Sequence, residues 1–441
     1  MRRLLRPVTY LGALGIVLAL SKLHASAVAD DAYDFTSSSR FAWALAYSAA
    51  LALAAYGMGL PDQAATPRRA LAAAVGAAAA AAVAMSLLQL VVGDALLPRF
   101  VVFGAAVICI PWWLLCAAVA AGGRARAVER DRVVLVGDRG EAAAVSDELA
   151  ASPERAATVV AVVDLDAAAT RPDGTRPVEE AVRRHDATVL VLDRGATEDE
   201  SVVAQAARLH ERGIRVRTLS LFYEQWFGKL PLWELERVSL LFDIGEVHRA
   251  TYGRVKRLVD VVLGLVGLVP LALVTPVVAV GDLLANRGPL LYRQIRVGKG
   301  GEPFEILKFR TMVPSSAPSR WTAGDDDRVT PFGGLLRRTH LDELPQVVNI
   351  LRGDLAVVGP RPEQPQYVAE LAEKLPFYDL RHLVRPGLTG WAQVKYHYGA
   401  DVHDATEKLQ YEFWYLRHQS MPVDVRIMGR TLRSVLGRDG R

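Results

Sequence analysis

Four apolar runs crowd the first 121 residues, at about 8–24, 41–60, 69–92 and 99–121. Each approaches the ~20 residues a helix needs to cross a hydrocarbon core. With 51% hydrophobic residues in 441, the apolar share is high for a wholly water-soluble protein. Flanking charge orients the runs. Arg2, Arg3 and Arg6 precede the first, Arg68 and Arg69 lie between the second and third, and Arg124, Arg126, Arg130 and Arg132 follow the fourth. The other two connections carry Asp30, Asp31, Asp34 and Asp94, with only Arg40 and Arg99 at helix ends. Both termini of this block are therefore expected on the cytoplasmic side. Residues 25–27, "ASA", also fit a signal-peptidase site, but acidic connecting arms and an even span count favour a retained first helix. Cys109 and Cys116 are seven apart in one run. On a helix that is about 10 Å along the axis, too far for a disulfide, so both read as buried thiols.

The pattern changes near residue 126. "RVVLVGD" (132–138), "TVVAVVD" (158–164) and "TVLVLD" (188–193) read as buried strands, separated by helical stretches that include 141–151 and 198–212. Alternation of this kind predicts a small, Rossmann-like parallel α/β domain over 126–245. The loop after its first strand, Gly137 to Gly140, reads "GDRG" and lacks the glycine spacing that lets a backbone approach a pyrophosphate. The domain is therefore expected to be structural, assembling or regulatory, with a retained nucleotide site as the lesser alternative. A nucleotide-sugar epimerase or dehydratase would need that fingerprint and a tyrosine-lysine pair there.

A fifth apolar run, 258–281, is interrupted only by Asp260 and follows Arg254, Lys256 and Arg257. Its length suits a spanning helix. Parity opposes this, because a fifth crossing would carry everything after 285 to the outer face. Pro270 at its middle removes a backbone donor and favours a bend, so the residues alone leave spanning and re-entrant forms open.

The chemistry-bearing residues lie beyond this run. "EPFEILKFRTM" (302–312) alternates as a strand with Ile306, Lys308 and Arg310 on one face. Two cations beside an apolar core either reach solvent or bind an anion, and the neighbouring motifs favour the anion. Arg337 and Arg338 stand just before adjacent carboxylates, Asp342 and Glu343. Pro345 suits the first turn of a helix reaching about Leu351, which sets the carboxylates near a positive helix end. A single cap needs one such residue, not two beside four cations. "GDLAVVGPRPE" (353–363) reads as a turn, a short strand and a rigid loop in which Pro360 and Pro362 constrain Arg361. "VRPGLTGWAQV" (384–394) supplies Arg385. The acidic run 325–327 reads as a solvated loop rather than a metal site. Residues 422–437 form an amphipathic pattern with Arg426, Arg430 and Arg433 beside an apolar stripe, suiting either a lipid surface or a packed helix.

The motifs "KFRTM", "LRRTHLDELPQ", "GDLAVVGPRPE" and "RPGLTGWAQV" resemble, in order and spacing over roughly 190 residues, the bacterial sugar transferases that are monotopic polyprenyl-phosphate hexose-1-phosphate transferases. Four helices followed by an α/β domain resemble the larger members that initiate exopolysaccharide, capsule or O-antigen synthesis. His340 departs from the small polar residue usual there. The resemblance implies a membrane α-helical bundle over 1–125 and an α/β catalytic domain over 246–441 with a re-entrant helix at about 255–283. It implies transfer of hexose 1-phosphate from UDP-hexose to undecaprenyl phosphate at the cytoplasmic face of the inner membrane, with UMP leaving. By motif, Asp342 is the nucleophile and Glu343 the Mg2+ ligand. Lys308, Arg310, Arg338 and Arg361 are phosphate or nucleotide contacts, with Arg337, Pro360, Pro362 and Arg385 completing the expected substrate site. A homodimer is compatible with the extra domain, and no nucleic-acid partner is implied. A non-enzymatic export scaffold is the remaining alternative, and the intact acidic pair argues against it.

Overall fold

A computed structural model describes residues 2–61, 67–92, 96–128, 131–151, 156–232, 249–285, 289–313, 328–396 and 402–437. The principal elements in chain order are α1 (Arg2–Leu23), α2 (Ser39–Gly57), α3 (Pro67–Val92), α4 (Arg99–Val128), β1 (Arg132–Val136), α5 (Arg139–Ala151), β2 (Thr158–Val163), α6 (Pro177–Arg184), β3 (Val189–Leu192), α7 (Glu200–Glu211) and β4 (Arg215–Thr218). There follow α8 (Arg249–Ala285), β5 (Leu291–Val297), β6 (Pro303–Phe309), α9 (Pro331–Arg338), α10 (Gln346–Arg352), β7 (Ala356–Val358), α11 (Pro365–Lys374), β8 (Gly387–Thr389), α12 (Trp391–Lys395), α13 (Val402–His418) and α14 (Met421–Gly437). They form two compact units. One comprises 1–120, 246–409 and 418–441, and the other 121–245 with 410–417.

In the first unit, α1 to α4 pack through small residues: Ala13 and Val17 of α1, Ala44 and Ala55 of α2, Ala73, Ala77 and Ala81 of α3, and Ala105 of α4. Small side chains let helix backbones approach where lipid offers no hydrophobic drive. Cys109 and Cys116 are free and buried, as expected. Among the described residues α1, α3, α4 and α8 have windows long and apolar enough to cross a membrane. The 19-residue α2, which carries Arg40, Trp43, Tyr47 and Ser48, is not among them.

The helix α8 is one continuous 37-residue element that contains both Pro270 and Pro276. Its one buried acid near the start, Asp260, accepts the Val357 N–H of β7 at 3.0 Å, which explains a carboxylate in an apolar run. Further along, Gly264 seats Leu351, Gly267 seats Val347 and Gly281 seats Phe332. The helix α14 packs on α2 through backbone contact between Gly57 and Gly429. Its arginines rest on protein: Arg426 Nη2 donates to the Tyr56 hydroxyl at 3.3 Å, Arg433 Nη1 to Met58 O at 3.4 Å, and Arg430 lies 4.8 Å from the Trp391 ring centroid. The amphipathic pattern of 422–437 is thus that of a packed helix.

The second unit holds a four-stranded parallel sheet in the order β2-β1-β3-β4. Three strands were legible as valine-rich runs. The fourth, "RVRT", hides behind its charges: Arg215 Nη2 meets Asp131 Oδ1 at 2.5 Å, and Arg217 Nε donates to Gln225 Oε1 at 3.1 Å. The helix α7 starts at Asp199, whose carboxylate accepts the Ser201 and Val202 N–H groups at 2.8 and 3.0 Å. Residues 410–417 belong with this unit, where Leu230 N–H donates to Gln410 O at 3.1 Å.

Candidate active site

The two carboxylates sit on a turn between α9 and α10. Thr330 caps α9 by accepting the Gly333 N–H at 2.9 Å, and Pro331 opens the helix. At His340 the backbone turns left-handed (φ 55°), a conformation in which histidine is enriched among non-glycine residues. One turn of 3-10 helix follows over Leu341–Glu343, and Pro345 leads into α10. In a 3-10 turn positions three apart eclipse. Leu341 and Leu344 therefore share a side and pack with Phe309, Leu336 and Val278. The acids between them are turned away from that core, and adjacent residues diverge by about 120°, so Asp342 and Glu343 face different surroundings.

Lys308, on β6, donates from Nζ to Glu343 Oε1 at 2.7 Å, and Arg361 Nη2 reaches the same oxygen at 3.3 Å. Burial works to raise the Glu343 carboxyl, but Lys308 and Arg361 outweigh it and hold the group down at about 2. Asp342 is 8% exposed. Its carboxylate makes no hydrogen bond or ion pair among the described residues. Burial raises its pKa, with the Glu343 charge adding to the effect and Lys308 and Arg337 opposing it. One acid is thus locked in its charged form and the other is a desolvated, unshared carboxylate.

Two tertiary anchors hold this geometry. Asn349 of α10 is fully buried. Its Oδ1 accepts the Leu307 N–H at 3.1 Å, and its Nδ2 donates to Glu305 O at 2.7 Å. An α10 side chain therefore bonds to the β6 backbone beside Lys308. At the other end of α10, Arg257 of α8 donates to the Ile350 and Leu351 carbonyls at 2.6 and 2.7 Å, and Gly353 (φ 96°) ends the helix in the left-handed region. Asn349 does not stand out in the sequence and Arg257 reads there only as a basic flank of the fifth apolar run, because their partners lie 42 and more than 90 residues away.

Of the expected site residues, Lys308, Glu343 and Arg361 are in direct contact, with Asp342 beside them. Pro360 and Pro362 are buried on either side of Arg361. Arg337 donates from Nε to Thr311 Oγ1 at 2.9 Å while its charge acts on Asp342. Arg338 is exposed at the end of α9. Arg385 is half-buried ahead of β8, its guanidinium unpaired among the described residues. Arg310 is placed differently: its Nε donates to Pro289 O at 2.9 Å and its guanidinium lies 5.8 Å from the Tyr292 ring centroid, toward β5. The acidic run 325–327 lies outside the described residues.

Among the described residues no cluster of three or more histidine, cysteine or acidic side chains is placed to hold a metal. Glu343 Oε1 takes both cations, and Oε2 has no partner among the described residues. One free carboxylate oxygen fits an ion such as magnesium, which keeps several waters and binds through one or two carboxylates plus substrate phosphates.

Residues 251–438 match the family model described as bacterial sugar transferase. The chain is 36% identical over 261 residues to the UDP-N-acetylgalactosamine-undecaprenyl-phosphate N-acetylgalactosaminephosphotransferase of Aeromonas hydrophila, covering 57% of this chain and 59% of that protein. It is 38% identical over 199 residues to the UDP-glucose:undecaprenyl-phosphate glucose-1-phosphate transferase of Caulobacter vibrioides, covering 44% of this chain and 74% of that one. It is 32% identical over 321 residues to the undecaprenyl-phosphate glucose phosphotransferase of Komagataeibacter xylinus, covering 68% of this chain and 58% of that protein. The chain therefore spans less than two thirds of the Aeromonas and Komagataeibacter proteins. The match covers α8, both carboxylates and every cation around them, and the chain belongs to the bacterial sugar transferase family.

Proposed function

We propose that the chain transfers hexose 1-phosphate from UDP-hexose to undecaprenyl phosphate, giving undecaprenyl-diphosphate-hexose and UMP, as the first membrane step of a polysaccharide pathway. The observation that carries this reading is the division of labour between neighbouring acids: Glu343 is paired with two cations, while Asp342 is buried and unshared. A desolvated carboxylate is a stronger nucleophile than a hydrated one, provided it stays ionised.

In the proposed route, an Asp342 oxygen attacks the sugar-bearing phosphorus of the donor. The bond from that phosphorus to the bridging oxygen breaks, and UMP departs with the electron pair. A phosphate oxygen of the lipid then attacks the same phosphorus and displaces the Asp342 carboxylate. The pyrophosphate bond of the product forms and the enzyme is regenerated. Lys308, Arg361, Arg338 and Arg385 offset the negative charge that both substrates bring. Magnesium held by Glu343 would supply further neutralisation of the donor pyrophosphate. The mixed anhydride lets one carboxylate serve a water-soluble and a lipid substrate in turn.

This chemistry needs α8 to enter and leave the bilayer by one face. What supports a re-entrant helix is that Asp260, Gly264, Gly267 and Gly281, spread over about 32 Å of helix, each touch a segment of the catalytic region. Positive flanks support the cytoplasm as that face, where UDP-sugars are found.

The middle unit is read as a Rossmann-like scaffold without a nucleotide. Asp138 Oδ2 already accepts the Gly140 N–H at 2.8 Å, and Asp193 Oδ1 accepts the Ala196 N–H at 2.7 Å. A dinucleotide pyrophosphate would need such N–H groups at the ends of β1 and β3. Their occupation by carboxylates disfavours the epimerase or dehydratase alternative.

The test is UMP release from a panel of UDP-sugars, with and without undecaprenyl phosphate and magnesium. Multiple-turnover release that requires both additions supports transfer, since the covalent step alone frees one UMP per enzyme. No release with any sugar would leave the scaffold reading in its place.

A further inference from the structure

Four consecutive backbone carbonyls, from Pro360 to Glu363, are each held by a donor. Gly387 N–H donates to Pro360 O at 2.8 Å, and Val297 N–H to Glu363 O at 2.9 Å. Between them, Arg381 Nη2 donates to Arg361 O at 2.8 Å and Arg296 Nη1 to Pro362 O at 3.1 Å. Arg381 is 5% exposed, lies 5.1 Å from the Tyr378 ring centroid and donates from Nη1 to that hydroxyl at 3.0 Å. Arg296 is fixed in turn by Gln294 Oε1 at 2.7 Å and by the Glu363 carboxylate at 3.6 Å.

Burying a guanidinium costs much of its hydration, yet two of them bond to carbonyls of this one tetrapeptide. Pro360 and Pro362 rigidify it only in part. Proline fixes φ and leaves ψ free. Rotation about ψ swings the carbonyl, so holding each carbonyl fixes the remaining angle. Together the prolines and the donors determine the direction of the Arg361 Cα–Cβ bond, and that side chain reaches Glu343 Oε1.

We propose that Arg381 and Arg296 are positioning residues that aim Arg361 at the donor phosphates. This rests on the reading of Arg361 as a phosphate contact. A misplacement of about 1 Å in such a group costs on the order of 100-fold in rate, so the two arginines act on catalysis without touching substrate.

The experiment is a double-mutant cycle on full-length protein in detergent, read as kcat and KM for the best UDP-sugar of the panel. Arg361→Ala and Arg381→Met are each expected to lower kcat/KM by roughly 10–100-fold, and the double variant to fall no more than about 3-fold below Arg361→Ala alone. Arg381→Lys should recover only part of the loss, since one ammonium cannot span the Tyr378 hydroxyl and the Arg361 carbonyl. A structural role would instead make the losses multiply, also in the Arg361→Ala background, and that result overturns the proposal. If Arg381→Met does not fold, Arg296→Lys enters the same cycle with the same two outcomes. Wild-type kinetics for Arg361→Ala would overturn the phosphate-contact reading itself, and the positioning role with it, whereas multiplying losses would overturn the positioning role alone.

Discussion

Lys308 Nζ stands 2.7 Å from Glu343 Oε1, and its charge acts on both neighbouring acids. It helps hold Glu343 at about 2 and opposes the burial that raises Asp342. The ionised form of Asp342 is the proposed nucleophile. Activity is therefore lost as pH falls through the raised Asp342 pKa, while Glu343 stays charged throughout. The acid limb of kcat/KM should lie above the ordinary aspartate range. Lys308→Met should move that limb to higher pH and lower the plateau by ~100-fold. A pH–rate profile whose acid limb stays in place in Lys308→Met would count against this electrostatic account.

Asp342→Asn should lower turnover by at least ~1,000-fold and remove any enzyme-bound phospho-sugar. Glu343→Gln should keep the adduct but require more magnesium for half-maximal rate. Rapid-quench labelling with radiolabelled donor checks both. Efficient wild-type transfer with no protein-bound sugar would favour direct displacement.

Asn349→Ala should destabilise the catalytic segment by about 2–4 kcal/mol, because the Leu307 N–H and Glu305 C=O both lose a buried partner. Denaturant or thermal unfolding in detergent measures this. A loss below ~0.5 kcal/mol would mean that water replaces the amide.

Gly429→Leu should separate α14 from α2, since the glycine backbones touch and no side chain fits between them. Overpacking of this kind costs about 1–3 kcal/mol. The expected readout is a lower unfolding midpoint, with Gly57→Leu giving a similar drop. Unchanged midpoints for both would show that the contact adjusts freely.

The side of the membrane on which α8 begins and ends is testable with introduced cysteines in a background lacking Cys109 and Cys116. Arg254→Cys and Arg293→Cys should both be labelled only by reagents reaching the cytoplasmic face. Labelling of Arg293→Cys from the outer face would make α8 a true span and place Asp342 beyond reach of UDP-sugars.

Local sequence determined a good deal. The helices α1, α3 and α4 follow from apolar length, whereas α2, expected to span like them, falls short of that measure. The two ends of α10 are written in Pro345 and Gly353, since proline tolerates a helix start and glycine a left-handed end. The strand position of Lys308 follows from alternation, and the pairing of Asp342 with Glu343 from adjacency. Tertiary structure decided which acid is charged, because the partner of Glu343 lies 35 residues back on β6 and no local pattern encodes that distance. It also decided that Arg310 turns toward Pro289, and that Arg296, Arg381 and Asn349 bind backbone groups. Periodicity records which face of an element is apolar. It does not record which remote carbonyl a buried polar group will find, and here those carbonyls fix the site.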